Sequence, residues 1–168
     1  MSSSTMRPLP LSRLAVVILA ALVSSCGFHL QGRTPLPEFL RTAYVEAADP
    51  QTDFVQSLHK ALRVSGAHPA QERDRASAVV NILKDEVSRR VLSVSAANRP
   101  SEYEVSYTVR FSVSRGDQEV LAPREVSATR DFSFDERLLL AKENEETILR
   151  ETMARDLADI VMRQLSSL

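Results

Sequence analysis

An alternating stretch in the middle of the chain constrains the fold more than any other feature. From Tyr103 to Val113 every second residue is apolar, and the residues between them are Glu, Ser, Thr and Arg. Successive side chains of a strand point to opposite sides, so this pattern predicts a strand with one buried and one polar face. A sheet built from such strands needs an apolar cover on one side only.

Three further stretches predict the other strands of this sheet. Residues 40–46 are typical of a short first strand. Residues 78–95 are rich in Val, Leu and Ile, and their alternation slips near Asp85 and Glu86, which indicates a bulge or a bend. Residues 124–134 alternate again. Short turns at 96–101 and from 115 onwards separate the last three strands, which predicts an antiparallel meander.

Two amphipathic segments predict helices that cover this sheet. The first is expected from about Thr52 to Ser65, after the cap-like Asp49-Pro50 pair and before Gly66 as a C-cap. The second is expected to begin near residue 135 or 136 and to end at about residue 166. The fold class is therefore α+β, with a four-stranded mixed sheet and both helices packed on one face.

Within the second helix, Glu146 and Arg150 are four residues apart in the favourable order. This spacing predicts a local ion pair along the helix surface.

The N-terminal residues have the organisation of a lipoprotein signal peptide. Arg7 and Arg13 precede ten apolar residues, 14–23, which are too few to span a bilayer, because spanning needs about 20. Val-Ser-Ser-Cys, ending at Cys26, resembles the bacterial lipobox, in which the thiol is acylated and becomes the new N-terminus. We therefore expect a signal peptide over 1–25 and one domain over 26–168.

The residues that follow the cysteine predict how the domain is held. Residues 26–38 contain Gly32, Pro35 and Pro37 and are expected to form an extended tether. Position 27 is Gly, whereas Asp after the cysteine usually retains Gram-negative lipoproteins in the inner membrane. By this resemblance the chain is expected at the outer membrane, anchored by lipid.

Composition argues against several function classes. Residues 1–25 hold two Arg and no acid, so 26–168 carry 19 basic and 22 acidic residues, a net charge of −3. A nucleic-acid-binding domain usually has the opposite balance. The three His are far apart in sequence and predict no metal site, and no P-loop or nucleotide-binding glycine pattern occurs.

One short motif leaves an enzymatic alternative. Ser57 and Lys60 match S-x-x-K, which serine acyl enzymes use, but the S-D-N and K-T-G companion motifs are absent. We therefore expect neither catalysis nor a cofactor.

Basic residues near element ends are the candidate ligand contacts. Arg89, Arg90, Arg99, Arg130 and Lys142 could together hold a phosphorylated anionic ligand through charge-assisted bonds. The alternative for each of them is an ordinary solvated charge.

Two motifs resemble a known family. Cys26-Gly27-Phe28-His29-Leu30 resembles the C-G-[FW]-H-L start of mature LptE, the lipopolysaccharide-assembly lipoprotein family, and 140–145 resembles its L-A-K-x-N-E segment. Glu102-Tyr103, the lone cysteine, the length and the element order also fit.

The resemblance implies a non-enzymatic plug inside the outer-membrane β-barrel LptD. Such a plug supports assembly of the barrel and binds lipopolysaccharide during its insertion into the outer leaflet. By similarity, Lys142 lies on the ligand-binding side, and Arg99 lies in the turn where the family uses an Arg, with a shorter spacing to Tyr103. The alternative is another outer-membrane lipoprotein adaptor, such as an auxiliary subunit of a lipid transport system.

Overall fold

The strands form one mixed sheet in the order β1–β2–β3–β4, in a computed structural model that describes residues 35–96, 98–133 and 139–168. They are β1 (Tyr44–Ala47), β2 (Val79–Val94), β3 (Pro100–Arg115) and β4 (Gln118–Ser133). β1 pairs with β2 in parallel, and β2, β3 and β4 pair antiparallel. The predicted meander of the last three strands is confirmed.

Both helices lie on one face of the sheet, as predicted. They are α1 (Asp53–Val64) and α2 (Leu139–Ser166). The apolar residues of the β3 alternation are buried beneath them, together with one stripe from each helix: Val105, Tyr107, Val109, Phe111 and Val113 of β3, Phe54, Leu58 and Leu62 of α1, and Met153, Leu157, Val161 and Leu165 of α2. The α+β class with a four-stranded mixed sheet is confirmed.

Local hydrogen bonds set both ends of α1. Thr52, rather than Asp49, is the N-cap, and its hydroxyl accepts from the Val55 amide at 3.2 Å. Asp49 instead accepts from the Gln51 amide in the preceding turn. At the other end Gly66 has φ +84°, and the Ala67 amide donates to the Leu62 carbonyl at 3.0 Å. This is a glycine C-cap of the Schellman type, as the sequence indicated.

The structure corrects the bounds of the first and last strands. Residues 38–40 form a 3₁₀ turn that buries Leu40, and the first strand begins only at Tyr44. The last strand begins at Gln118 instead of 124 and runs through Pro123. Proline is tolerated there because β4 is an edge strand and its pairing with β3 is irregular at this point.

The bulge in β2 lies earlier than predicted. The register shifts between Ile82 and Lys84, so Leu83 is the extra residue, and a second irregularity follows Val91. The pattern places Asp85 on the helix side, opposite Val109. This polar residue on an apolar face is what made the alternation slip in the sequence.

Several predictions concern residues outside the described ranges. These are the signal peptide, the lipidation of Cys26, residues 26–34 of the tether and the start of the last helix near 135 or 136. Of the tether, Pro35–Pro37 have no regular secondary structure, and Leu36 packs partly buried against the core. No helix within the described ranges is long and apolar enough to cross a membrane.

Candidate functional site

The turn between β2 and β3 marks the end of the sheet that carries most of the candidate basic residues. The Ser95 amide donates to the Arg99 carbonyl at 2.7 Å, and the Ser95 hydroxyl accepts from the Arg99 amide at 3.3 Å. Asn98 takes a left-handed conformation, φ 57°, which Asn tolerates better than most residues. The turn backbone around Arg99 is therefore closed by its own hydrogen bonds. We call the end of the sheet at the β2–β3 turn, where β2 ends at Val94 and β3 begins at Pro100, the distal end.

Arg89 and Arg90 point to opposite faces of β2. Arg89 lies on the helix side, 4.7 Å above the Tyr103 ring, and its guanidinium donates to Glu146 of α2 at 3.3 Å. Arg90 lies on the other side and donates to both oxygens of Glu104, at 2.6 and 3.0 Å. The bond from Arg90 lowers the pKa of the Glu104 carboxyl. Because Arg89 and Arg90 lie on opposite faces of the sheet, their side chains cannot both contact one ligand group.

Arg130 shares the helix side with Arg89. Both are paired with Val105, Arg89 from β2 and Arg130 from β4, so they flank it across the sheet. Arg130 donates to Asp156 of α2 at 3.2 Å. Each of these arginines therefore already joins the sheet to α2 through an exposed ion pair, a type that is individually weak and exchangeable.

Lys142 lies in the first turns of α2, one helical turn before Glu146. Because Glu146 holds Arg89, the backbone at Lys142 is close to the distal part of β2. The side chain of Lys142 and the whole of Cys26 lie outside the described residues.

A polar network at the start of α1 is the feature that sequence reasoning missed. Thr52 donates to Asp85 at 2.5 Å, and the buried Tyr107 hydroxyl accepts from the Phe54 amide at 3.2 Å. Burial raises the pKa of Tyr107, and its hydrogen bond to Asp85 raises it further. The signal in the sequence was the Asp within an apolar alternation, which we interpreted only as a bulge.

A salt bridge extends this network to the second helix. Arg150 of α2 donates to Asp53 at 2.5 Å, and that bond raises the pKa of the Arg150 guanidinium. The start of α1 is therefore tied to β2, to β3 and to α2.

The sheet face away from the helices is polar throughout its centre. Five hydroxyl residues lie together on β2, β3 and β4, and charged residues surround them. The hydroxyl residues are Ser88, Ser106, Thr108, Ser127 and Thr129. We call this surface the open face. It can hydrogen-bond to water or to a polar partner, as the alternation predicted.

The concave surfaces of the described residues show no assembled catalytic group. Ser57 and Lys60 line a groove of about 420 Å³ between the helices, without a hydrogen bond between their side chains. A larger groove of about 650 Å³ between β1 and α1 includes Tyr44, His59 and Arg63. Burial, and then the charge of Arg63, lowers the pKa of His59. No group of three His, Cys, Asp or Glu that could hold a metal occurs in the described ranges.

Comparison with known families shows to which protein family this chain belongs. The family model for LptE, described as lipopolysaccharide-assembly, matches residues 40–165. The chain belongs to the LptE family. The match begins at Leu40 and covers the four strands, the first helix and all but the last residue of the second helix.

Relatives with the same name cover most of the chain. This LptE-family chain is 27% identical over 152 residues to the LPS-assembly lipoprotein LptE of Pectobacterium atrosepticum, covering 89% of this chain and 82% of the relative. It is 28% identical over 149 residues to the LPS-assembly lipoprotein LptE of Photorhabdus laumondii, covering 88% and 81%.

Solved structures share the fold of this LptE-family chain. The solution structure of lipoprotein B from Nitrosomonas europaea is 26% identical, with a TM-score of 0.68, over 84% of this chain and 91% of that one. The crystal structure of rare lipoprotein B from Shewanella oneidensis is 24% identical, with a TM-score of 0.64, over 75% and 94%. The second likeness concerns the fold alone.

Proposed function

We propose that this chain is an outer-membrane lipoprotein, anchored through lipid on Cys26, that plugs an LptD β-barrel, supports its assembly and binds lipopolysaccharide. The match to the LptE family across residues 40–165 carries the proposal. The relatives from Pectobacterium and Photorhabdus are named LPS-assembly lipoproteins, which supports the same role. The chain acts by binding and not by catalysis.

The open face supports the plug role. A β-barrel lumen is polar, so a protein inside it must present polar groups to the wall. The hydroxyl residues of the open face are small and can donate or accept, which suits close contact with polar side chains of a wall.

The distal end supports the binding of lipopolysaccharide. This ligand carries phosphates on an acylated disaccharide, and guanidinium and ammonium groups bind phosphate through charge-assisted hydrogen bonds. Arg89 and Arg130 lie on the helix side, Arg99 lies in the turn, and Lys142 lies at the start of α2. A phosphate can compete for Arg89, since its bond to Glu146 is 3.3 Å long and exposed.

Co-purification is the direct test of the barrel partner. The lipidated protein is captured from solubilised outer membranes, and we expect a large β-barrel in stoichiometric amount. Recovery of a lipid-transport complex without such a barrel would favour the alternative, an adaptor for a different transport system.

Charge reversal tests the ligand site. Lys142→Glu should weaken binding of lipopolysaccharide about tenfold or more in a titration, because it replaces one charge-assisted contact with a repulsion. Lys60 is exposed on α1 and lines the groove between the helices, so Lys60→Glu makes the same change of charge outside the candidate site and should leave the affinity unchanged. Equal affinities of all three proteins would remove Lys142 from the site.

A further inference from the structure

The outer side of β1 offers backbone groups that no described strand uses. β1 lies at one edge of the sheet and pairs only with β2. The Tyr44 amide donates to the carbonyl of Ala78, the residue before β2, at 2.9 Å. Backbone groups alternate in direction along a strand, so Tyr44 and Glu46 face β2, whereas Val45 and Ala47 direct their N–H and C=O groups outwards. Such an edge is a template for a further strand.

The chain itself begins a pairing beside this edge and stops before β1. The His68 amide donates to the Arg41 carbonyl at 2.6 Å, and the Ala70 amide donates to the Ala43 carbonyl at 3.0 Å. Within the described ranges, no loop residue after Ala70 makes a backbone hydrogen bond to the outward side of β1. Residues 68–70 therefore extend the sheet only as far as Ala43, and the outward groups of β1 itself stay available.

The same strand borders the groove of about 650 Å³ between β1 and α1, which we call the β1 groove. Val45 of β1 and the loop 68–71 line part of it. The rest is lined mainly by α1, through Gln56, His59 and Arg63. These three are spaced three and four residues apart, so they share one helix face. The volume is within the range of sites that enclose most of a ligand, so the groove can hold a few residues of an extended peptide.

The β1 groove is complementary to a negative charge. Its described lining includes the guanidinium of Arg63, two imidazoles and no carboxylate, and Arg63 makes no ion pair with a described residue. The neighbouring acids are already bonded, because Glu46 accepts from Arg73 with both oxygens and Asp49 accepts from an amide of its own turn. The pKa of His59 is lowered by burial and by Arg63, so Arg63 supplies the charge at neutral pH. A carboxylate or a phosphate fits this position.

We propose that an extended acidic segment of the barrel partner adds to β1 as a further strand and places a carboxylate beside Arg63. The identity of the partner chain rests on the proposed function. In strand addition, main-chain hydrogen bonds supply affinity and side-chain sites supply specificity. Here Val45 and Ala47 provide the main-chain groups, and Arg63 selects an acidic residue through a charge-assisted bond.

A small anion accounts for only part of this surface. A phosphate can contact Arg63, but it cannot both donate to and accept from the backbone of β1. The outward N–H and C=O groups of Val45 and Ala47 alternate along the edge and need a partner with the same alternation. An extended peptide has it, so the observations favour a peptide over a phosphorylated lipid.

Photo-cross-linking tests the added strand on the lipidated chain in intact outer membranes. A photoreactive amino acid replaces Gln71, which is exposed and lines the β1 groove. After irradiation the protein is captured, and the linked peptide is identified by mass spectrometry. We expect one segment of the β-barrel that contains Asp or Glu.

Two pairs of variants separate the charge from the backbone contribution. Arg63→Glu should lower the yield of this cross-link on the order of tenfold, whereas Lys60→Glu, on the same helix but outside the β1 groove, should not change it. Ala47→Pro removes one outward N–H of an edge strand and should lower the yield several-fold. Ala47→Val keeps that N–H and should give the natural yield. Circular dichroism confirms that each variant is folded.

Failure of the strand addition and failure of the proposed function give different results. Recovery of the barrel without a cross-link from Gln71, or with a linked segment that lacks an acid, would overturn the strand addition and leave the plug role intact. So would a yield that is equal in the natural chain, Arg63→Glu and Ala47→Pro. A cross-link to lipopolysaccharide alone would assign the β1 groove to an anionic lipid instead. Absence of any barrel among the captured proteins would refute the proposed function and this partner together.

Discussion

Removal of the Tyr107 hydroxyl tests the network that joins α1 to the sheet. Tyr107→Phe keeps the ring in its buried position and creates no cavity, so the effect is confined to hydrogen bonds. The Phe54 amide loses its acceptor at 3.2 Å, and Asp85 loses a donor but keeps Thr52. A buried donor left unpaired costs about 1–3 kcal/mol, so we expect a loss of about 2 kcal/mol in the free energy of unfolding.

Urea unfolding, followed by circular dichroism, measures this loss. With a slope of about 2 kcal/mol per molar urea for a domain of this size, the midpoint should fall by about 1 M with an unchanged slope. Tyr44→Phe is the matched control. Tyr44 is half-buried in β1, and its hydroxyl makes no hydrogen bond to another described residue. That variant should lose less than about 0.5 kcal/mol, as typical of changes away from such networks.

The pH dependence gives a second, independent measure of the same network. In the folded state the pKa of Tyr107 is raised above its ordinary value of about 10. In the unfolded state the hydroxyl loses its proton near pH 10. Unfolding therefore releases a proton above pH 10, and the contribution of Tyr107 to stability falls as the pH rises. The difference between the natural chain and Tyr107→Phe should shrink above pH 10. Equal stability of Tyr107→Phe and Tyr44→Phe at neutral pH would refute the network argument.

Two further predictions concern the anchor and one histidine. Cys26→Ala should leave an exported domain that no longer fractionates with outer membranes, since the acyl chains provide the anchor; normal fractionation on a density gradient would contradict lipidation at Cys26. Burial, and then Arg63, lowers the pKa of His59 in the folded state, so the unfolded state binds the proton first as the pH falls below about 6.5. Stability should therefore decrease from pH 7 to pH 5, and His59→Gln should flatten this part of the curve; an identical slope in both proteins would show that His59 does not contribute.

The regular part of the fold could be predicted because its signals are local. The alternation from Tyr103 to Val113 identified β3 and both of its faces, and its apolar residues from Val105 to Val113 are buried in the structure, with Tyr103 partly buried. Gly66 is the predicted C-cap, and its role depends on a few neighbouring atoms, so the bounds of α1 followed closely from the sequence, although the N-cap is Thr52 and not the predicted Asp49. The boundaries that were wrong lie at edges. Pro123 is compatible with a strand only because β4 has a free side.

The candidate site was only partly predictable because it depends on which face each residue takes. Arg89 and Arg90 are neighbours in sequence, yet the pleat of β2 sends them to Glu146 on one side and to Glu104 on the other. Arg130 is far from Arg89 in sequence, but the register of two strand pairs places both beside Val105. The sequence identified these basic residues but did not show which of them share a face of the sheet.

Periodicity, turn residues and local capping determined the α+β class and the element order, and two short motifs, at 26–30 and 140–145, carried the family resemblance, because these signals need no distant partner. Only the tertiary structure decided the partners of each charge. Glu146 and Arg150 are spaced for a local pair, but Glu146 bonds Arg89 of β2 and Arg150 bonds Asp53 of α1. The physical reason is that an exposed pair along one helix is worth only a few tenths of a kcal/mol. Packing, which sets where α2 lies against the sheet and α1, therefore selects the bonds.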